Sequence, residues 1–268
     1  MYQSMIPMLE EATRLGYTVG AFNAHNLEMV PAMIGAARDA GAPIIIQISP
    51  GTARYVGMKN LVAVCRSMAE EDIVDVALHL DHATNLDDIR DAINAGFSSV
   101  MFDGSGLSYE ENIRQTAEAV KMCHALGISV EAELGAVGGD EGGSLYGSCD
   151  SSKFTDPSKA TDFVTRTGID ALAVAIGNAH GKYRGEPKLD FPRLQAIQEQ
   201  TGLPLVLHGG SGISDADFRK AISLGIHKIN FYTGMSQNAL VAVEQAMQHR
   251  ETAYDELAHM LMGIETAI

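Results

Sequence analysis

The sequence predicts an α/β fold, a closed (β/α)8 or TIM barrel formed by one domain over residues 1–268. Three observations carry the prediction: eight short apolar runs rich in β-formers, helical patterns between them, and polar residues gathered at the C-terminal ends of the runs. A barrel of this kind needs about 250 residues, so a chain of 268 suits one barrel. A doubly wound open sheet shows the same alternation, but it usually has about five or six strands and a glycine fingerprint after the first. Here the first run ends in Asn23.

The runs follow in order. TVGAFN (18–23) ends in Asn23, PIIIQIS (43–49) in Ser49, and VALHLDH (76–82) in Asp81 and His82. SVMFDGS (99–105) carries Asp103, SVEAELG (129–135) carries Glu131 and Glu133, and ALAVAIGNAH (171–180) ends in His180. LPLVLHGGSG (203–212) carries His208, and KINFYT (228–233) carries Asn230 and Thr233. Between them, segments such as LEMVPAMIGAARDAG and ENIRQTAEAVKMCHALG repeat apolar residues at helical spacing and stop at Gly, as amphipathic outer helices do. The longest loop, 136–157, is rich in Gly, Ser and Asp and is expected to be mobile and to close over substrate. Residues 235–268 read as a C-terminal helical segment.

Composition narrows the function classes. Hydrophobic residues make up 46% and charged residues 20%, a soluble globular balance. A formal charge of -15 opposes nucleic acid and anionic membranes as partners. An acidic chain that takes an anionic ligand must concentrate positive potential locally, through a metal, backbone N–H groups or a few cations. Cys65, Cys123 and Cys149 are odd in number and lack CxxC spacing, which suggests neither a disulfide framework nor a thiolate zinc site and fits a reducing cytoplasm. The opening MYQSMIPMLEEATRLGY has no secretory pattern, and no apolar run approaches the ~18 residues of a membrane span.

Active sites of such barrels form on the rim where the strands' C-terminal ends and their loops converge. His82, His180 and His208 terminate predicted strands three, six and seven, and three imidazoles with an open fourth position are a catalytic zinc arrangement. One histidine at a strand end is ordinarily a hydrogen-bonded structural group; three on one rim beside carboxylates point to a metal. Asp81 adjoins His82 and is placed for proton transfer, with orientation of a histidine ligand as the alternative. His79 shares its face and would orient it. Glu131 and Glu133 share a face of strand five and, with Asp103, offer an oxygen-donor site for the metal or a second cation; the alternative is a buried hydrogen-bonded pair. HGGSG places Gly209, Gly210 and Ser211 after strand seven, and NFYT ends strand eight, the two loops that recurrently bind phosphate. His124, His249 and His259 read as solvated helix positions, His227 lies at the opposite end of the barrel, and His25 is left without a role.

HLDHATNLDDI, VEAELGAVGG, IGNAHGKYRGEPKLDF and LVLHGGSGI resemble the class II, zinc-dependent fructose-bisphosphate and tagatose-bisphosphate aldolase family, and the likeness runs from AFNAHNLE near residue 21 to about residue 234. The resemblance implies a cytoplasmic lyase of carbohydrate metabolism and glycolysis that cleaves a phosphorylated ketose to dihydroxyacetone phosphate and an aldehyde. It implies Zn2+ on His82, His180 and His208, with a second or monovalent cation beside it, and an alternative metal position at Asp103 and Glu133. It implies that Asp81 protonates the aldehyde oxygen and that Glu141, in the long loop, moves the carbon-bound proton. Asn23 and Ser49 on the rim join Gly181, Gly209, Gly210, Ser211, Asn230, Phe231, Tyr232 and Thr233 as substrate contacts. A homodimer or homotetramer is expected, with a companion barrel subunit as a further partner.

A Schiff-base aldolase would want a lysine inside a strand near the site; Lys182 lies beyond strand six and Lys228 begins strand eight at the wrong end. The sequence departs from the family pattern in DGSGLSYEEN, where Gly106 and Leu107 stand near the family's histidine, and in Tyr232, bulkier than its counterparts. The tail lacks the arginine-containing segment for a second phosphate, leaving Arg54 and Arg184 as candidate substitutes. Two rivals are a zinc hydrolase with Asp81 as base and a noncatalytic companion barrel; the presence of Asp81 and all three histidines favours an enzyme.

Overall fold

The computed structural model describes residues 1–139 and 149–248. Eight parallel strands pair in chain order and close into a barrel, the last returning to the first. They are β1 (Val19–Asn23), β2 (Ile44–Ile48), β3 (Val76–Ala83), β4 (Ser99–Phe102), β5 (Ser129–Leu134), β6 (Ala171–Val174), β7 (Leu205–Leu207) and β8 (Ile226–Phe231). Helix α1 (Ile6–Leu15) precedes β1. The outer helices are α2 (Met29–Ala40), α3 (Pro50–Val56), α4 (Met58–Glu71), α5 (Leu86–Ala95), α6 (Tyr109–His124), α7 (Pro157–Thr167), α8 (Phe191–Thr201), α9 (Asp215–Ser223) and α10 (Thr233–Gln248).

Local chemistry explains the helix boundaries. Asn85, Ser108, Asp156, Asp190 and Ser214 each accept a backbone N–H of the following first turn, satisfying donors that have no partner within the helix. The Gly stop expected after LEMVPAMIGAARDAG is Gly41, in the left-handed region at φ 60°.

Inward and outward residues alternate along the strands, with register shifts at Leu80–Ala83 of β3 and Leu205–Val206 of β7. Outward residues such as Ile44, Ile46, Leu78, Val100 and Leu172 pack against Met33, Ile34, Leu61 and Ile89 of the helices, forming the main core. Inward residues at the N-terminal end, among them Ala21, Ile45, Ala77, Met101, Ala173 and Val206, form a second core closed by Met5, Met8 and Leu9 at the start of α1. Each fully buried large side chain there contributes roughly 1.5–3 kcal/mol. Among the described residues this plug fills the N-terminal end of the barrel interior.

Three boundaries differ from the sequence reading. β6 stops at Val174, so His180 stands on the following loop and not at a strand end. The Asn178 side chain accepts the Ile176 N–H at 2.8 Å, a local bond that competes with sheet pairing. β7 ends just before His208, and β8 begins at Ile226, which places Lys228 inside the barrel wall and not at its start. Of the long loop, residues 140–148 lie outside the described residues, as do 249–268 of the expected C-terminal helix. Among the described residues no helix is long and apolar enough to cross a membrane.

Candidate active site

The inward alternation brings Asn23, Gln47 and Asp81 of three adjacent strands together, all buried. Asp81 Oδ2 accepts from Asn23 Nδ2 at 3.0 Å and from Gln47 Nε2 at 3.1 Å; the same amide of Gln47 donates to Asn23 Oδ1 at 2.8 Å. Asp81 Oδ1 has no hydrogen-bond partner among the described residues. One carboxylate oxygen is held and the other is bare, the arrangement a proton-transfer group needs. Burial pushes the Asp81 carboxyl up, but His82, His208 and Lys228 around it outweigh burial and hold it down at about 2.

His82 follows Asp81 and on a regular strand would point outward. Its φ is 51°, and the pairing of β3 with β4 shifts register between Leu80 and Ala83. This bulge turns the His82 ring to the side Asp81 already faces, at a backbone cost of about 1–3 kcal/mol. His82 Nδ1 is 2.8 Å from Asp103 Oδ2, which orients the ring and leaves Nε2 toward the centre. His82 Nε2 lies 3.0 Å from His208 Nδ1, and His180 Nε2 lies 3.4 Å from the same atom. Tetrahedral zinc–imidazole bonds put ligand nitrogens about 3.3 Å apart, so the donor set fits such an ion. Burial, and then the neighbouring histidines, lower His180 to about 3; burial also lowers His208 against the opposing effect of Glu131, and both shifts are in the direction that favours the neutral ring a metal needs.

The second donor group, His82 with Asp103 and Glu133, also lies within a metal's reach. Glu133 accepts the Val137 N–H at 2.7 Å, and burial together with Asp103 raises its carboxyl to about 8. Glu131 does not join this group: its carboxylate accepts from His208 Nε2 at 2.8 Å and meets Lys228 Nζ at 2.8 Å. His79 does not orient Asp81 directly. Its Nδ1 is 2.6 Å from Ser99 Oγ, because the ring leans toward β4.

The loops after β6, β7 and β8 bound a cleft lined by Gly181, Lys182, Tyr183, Ser211, Thr233, Gly234 and Gln237. Gly209 has φ 68° and passes so close to the loop of His180 that a Cβ would sit 2.1 Å from the Ala179 oxygen, so only glycine fits. Gly210 N–H donates to the Asn230 oxygen, and Ser211 Oγ accepts the Gly234 N–H, both at 2.9 Å. The α10 N-terminus faces this cleft, which suits an anion.

Several expected contacts stand elsewhere. The Phe231 ring faces outward against Phe22, since it alternates with inward Asn230. Ser49 stands at the residue before α3 without capping it by its side chain, and its hydroxyl donates to Thr52 Oγ1 at 3.2 Å. Tyr232 stacks on His25 with centroids 4.5 Å apart, giving that histidine a neighbour the sequence did not supply. Arg54 is ion-paired with Asp88, and Arg184 is exposed on the loop after His180. His124 is not simply solvated; it meets Asp170 at 2.9 Å. His227 is buried, with Nδ1 2.9 Å from the Tyr17 oxygen at the closed end. Glu141, His249 and His259 lie outside the described residues.

Sequence reasoning missed Gln47, Asn178, Tyr183 and the role of Lys228. Gln47 had a signal, as the one polar residue in the run IIIQI. Lys228 had one too, sharing by period two the inward face of Asn230. Asn178 and Tyr183 act through loop geometry and carried none.

Comparison with known proteins is consistent along the chain. The family model described as "Fructose-bisphosphate aldolase class-II" matches residues 3–268. A fructose-bisphosphate aldolase of Geobacillus stearothermophilus is 44% identical over 260 residues, 94% of this chain and 88% of that protein. The crystal structure of the YdjI aldolase from Escherichia coli K12 superimposes with a TM-score of 0.87 at 39% identity, covering 100% of this chain and 93% of its own. A fructose-bisphosphate aldolase from Campylobacter jejuni does so at 0.84 and 26%, covering 99% and 92%.

Proposed function

The chain belongs to the class II fructose-bisphosphate aldolase family, and on that premise we propose that it reversibly cleaves a phosphorylated ketose to dihydroxyacetone phosphate and an aldehyde with zinc as cofactor. The observation that carries the reading is the convergence of three imidazole nitrogens, 3.0 and 3.4 Å apart, beside a buried carboxylate with one bare oxygen. His82 Nε2, His180 Nε2 and His208 Nδ1 would hold the ion and leave its remaining coordination to substrate. When bound, zinc supplies Lewis-acid polarisation of the ketose carbonyl and its neighbouring hydroxyl oxygen.

The chain's own groups do the rest. In cleavage, Asp81 Oδ1 takes the proton of the hydroxyl on the aldehyde-side carbon. The carbon–carbon bond breaks, its electrons stay on the dihydroxyacetone phosphate half, and the aldehyde carbonyl forms. In condensation the same proton returns to the aldehyde oxygen. Asn23 and Gln47 keep Oδ2 occupied so that Oδ1 alone faces the reaction. Glu141 is the candidate for protonating the carbanion carbon. Gly181, Ser211 and Thr233, which line the cleft, would hold the phosphate with backbone N–H groups and hydroxyls; Gly209 and Gly210 shape the turn that presents Ser211, and Asn230 faces His208.

The test is a panel of fructose and tagatose 1,6-bisphosphates and ketose 1-phosphates, with dihydroxyacetone phosphate release coupled to a reporter. Release that a chelator abolishes and zinc restores is expected for at least one member. Release indifferent to the chelator would overturn the zinc reading.

A further inference from the structure

The proposed mechanism leaves a buried lysine unused. Lys228 is fully enclosed, one inward position below Asn230 on β8. Its ammonium is 2.8 Å from Glu131 Oε2 and donates to Asn230 Oδ1 at 2.8 Å. The other oxygen of Glu131 accepts from His208 Nε2 at 2.8 Å. Lys228, Glu131 and His208 thus form a continuous string with every side chain at 0% exposure. Stability gives no reason for the pair, because desolvating two charges offsets most of their attraction and apolar residues of similar volume do as well or better. Neighbouring inward positions on β6 and β7 are apolar: Ala173 and Val206.

We propose that Glu131 and Lys228 are positioning residues that decide which nitrogen of His208 faces the metal position. The argument rests on the zinc reading of the site. A carboxylate only accepts hydrogen bonds, so Glu131 requires the Nε2–H tautomer of His208. The lone pair is then on Nδ1, the atom that meets His82 and His180. Lys228 supplies the counter-charge that a buried carboxylate needs. Its second bond, to Asn230 Oδ1, turns the amide so that Nδ2 faces His208, 3.2 Å from each ring nitrogen. One lysine therefore anchors the acceptor of the His208 Nε2–H and fixes the Asn230 amide against the same ring, the kind of outer support that holds metal-binding imidazoles in place generally.

Full-length wild type, Glu131→Gln, Lys228→Met and the double variant Glu131→Leu/Lys228→Met would be compared in three ways. These are zinc affinity by chelator competition, the absorption spectrum of the cobalt-substituted protein, and the Tm of the metal-free protein. The double variant removes both charges without leaving either one unpaired, but it also removes the partners of His208 Nε2–H and Asn230 Oδ1, so its metal-free Tm should fall modestly while the protein still folds. Its zinc affinity should fall by about 10–100-fold, and its cobalt spectrum should change. Wild-type affinity and spectrum in the double variant would overturn the proposal, since a structural role alone moves Tm and leaves the affinity of folded molecules untouched. If the double variant does not fold, Glu131→Gln keeps the side-chain volume and carries the same expectation and the same refutation. Wild-type protein that binds no stoichiometric zinc would overturn the zinc reading first, an outcome distinct from wild-type binding that the variants share.

Discussion

The two ends of the barrel interior are made by the same eight strands and have opposite chemistry. At the N-terminal end Ala21, Ile45, Ala77, Met101 and Val206 meet the α1 plug in an apolar layer. At the other end the next inward positions, Asn23, Gln47, His79, Asp81 and His208, are polar and buried. Because inward positions are two residues apart, one pleat separates packing from chemistry. The closed end supplies stability that the open end cannot, since the open end spends burial on polar groups and holds His82 in a strained conformation.

If that division holds, substitutions of the histidines and Asp81 at the open end should remove activity and spare stability. His208→Ala is expected to have the largest effect: zinc and cleavage are lost together, because three protein ligands are the minimum of such sites. Metal analysis and the ketose assay on one sample check this, and full zinc occupancy would contradict it. Asp81→Ala comes next. It should keep zinc while cleavage falls by about 10²–10⁴-fold, as removal of a proton-transfer group does. Unchanged cleavage would sink the role given to Asp81 Oδ1.

At the closed end the pattern should invert. Ile45→Ala removes a fully buried side chain and should cost about 2–5 kcal/mol in urea unfolding. Its kcat per folded molecule should match wild type. A large loss of kcat in a fully folded Ile45→Ala protein would show that the two ends are coupled and that the layers do not act independently.

The same comparison explains what was legible beforehand. Strand number, order and the polar rim follow from period-two patterning, which depends on residue type alone, and so eight runs announced the barrel. Asp81, His82 and His208 were visible because they stand at or next to strand ends. His180 was visible only as a residue type, since its place comes from the Asn178 turn and the bridge between Gly138 and Ala179. For Glu131 the sequence left a donor site and a buried hydrogen-bonded role open, because strand period gives the face of a residue but not the neighbour across the barrel, and that neighbour is Lys228. Phe231 was grouped with the site because a contiguous motif conceals the alternation that sends its ring outward.

The smallest expected effect concerns the joint between loops at the open end. Tyr183 Oη accepts the Ala179 N–H and donates to the Gly209 oxygen, both at 2.9 Å, tying the loop of His180 to the loop of His208. Tyr183→Phe keeps the ring but leaves both backbone groups unpaired, at a cost of about 1–3 kcal/mol. Cleavage should weaken chiefly through KM, because the lost hydroxyl holds together two of the loops that bound the cleft proposed for the phosphate. The wild type carries a pH signature that the variant lacks. Burial raises the Tyr183 hydroxyl from its ordinary 10.0 to about 12, so the folded state holds the proton more tightly than the unfolded chain. Its contribution is therefore fully present below pH 10 and is lost as pH rises from 10 through about 12. Urea unfolding of both proteins at pH 8 and 11 reads the difference: the gap in stability should narrow at the higher pH. An equal gap at both values would mean that this hydroxyl is not buried between the two histidine loops as drawn.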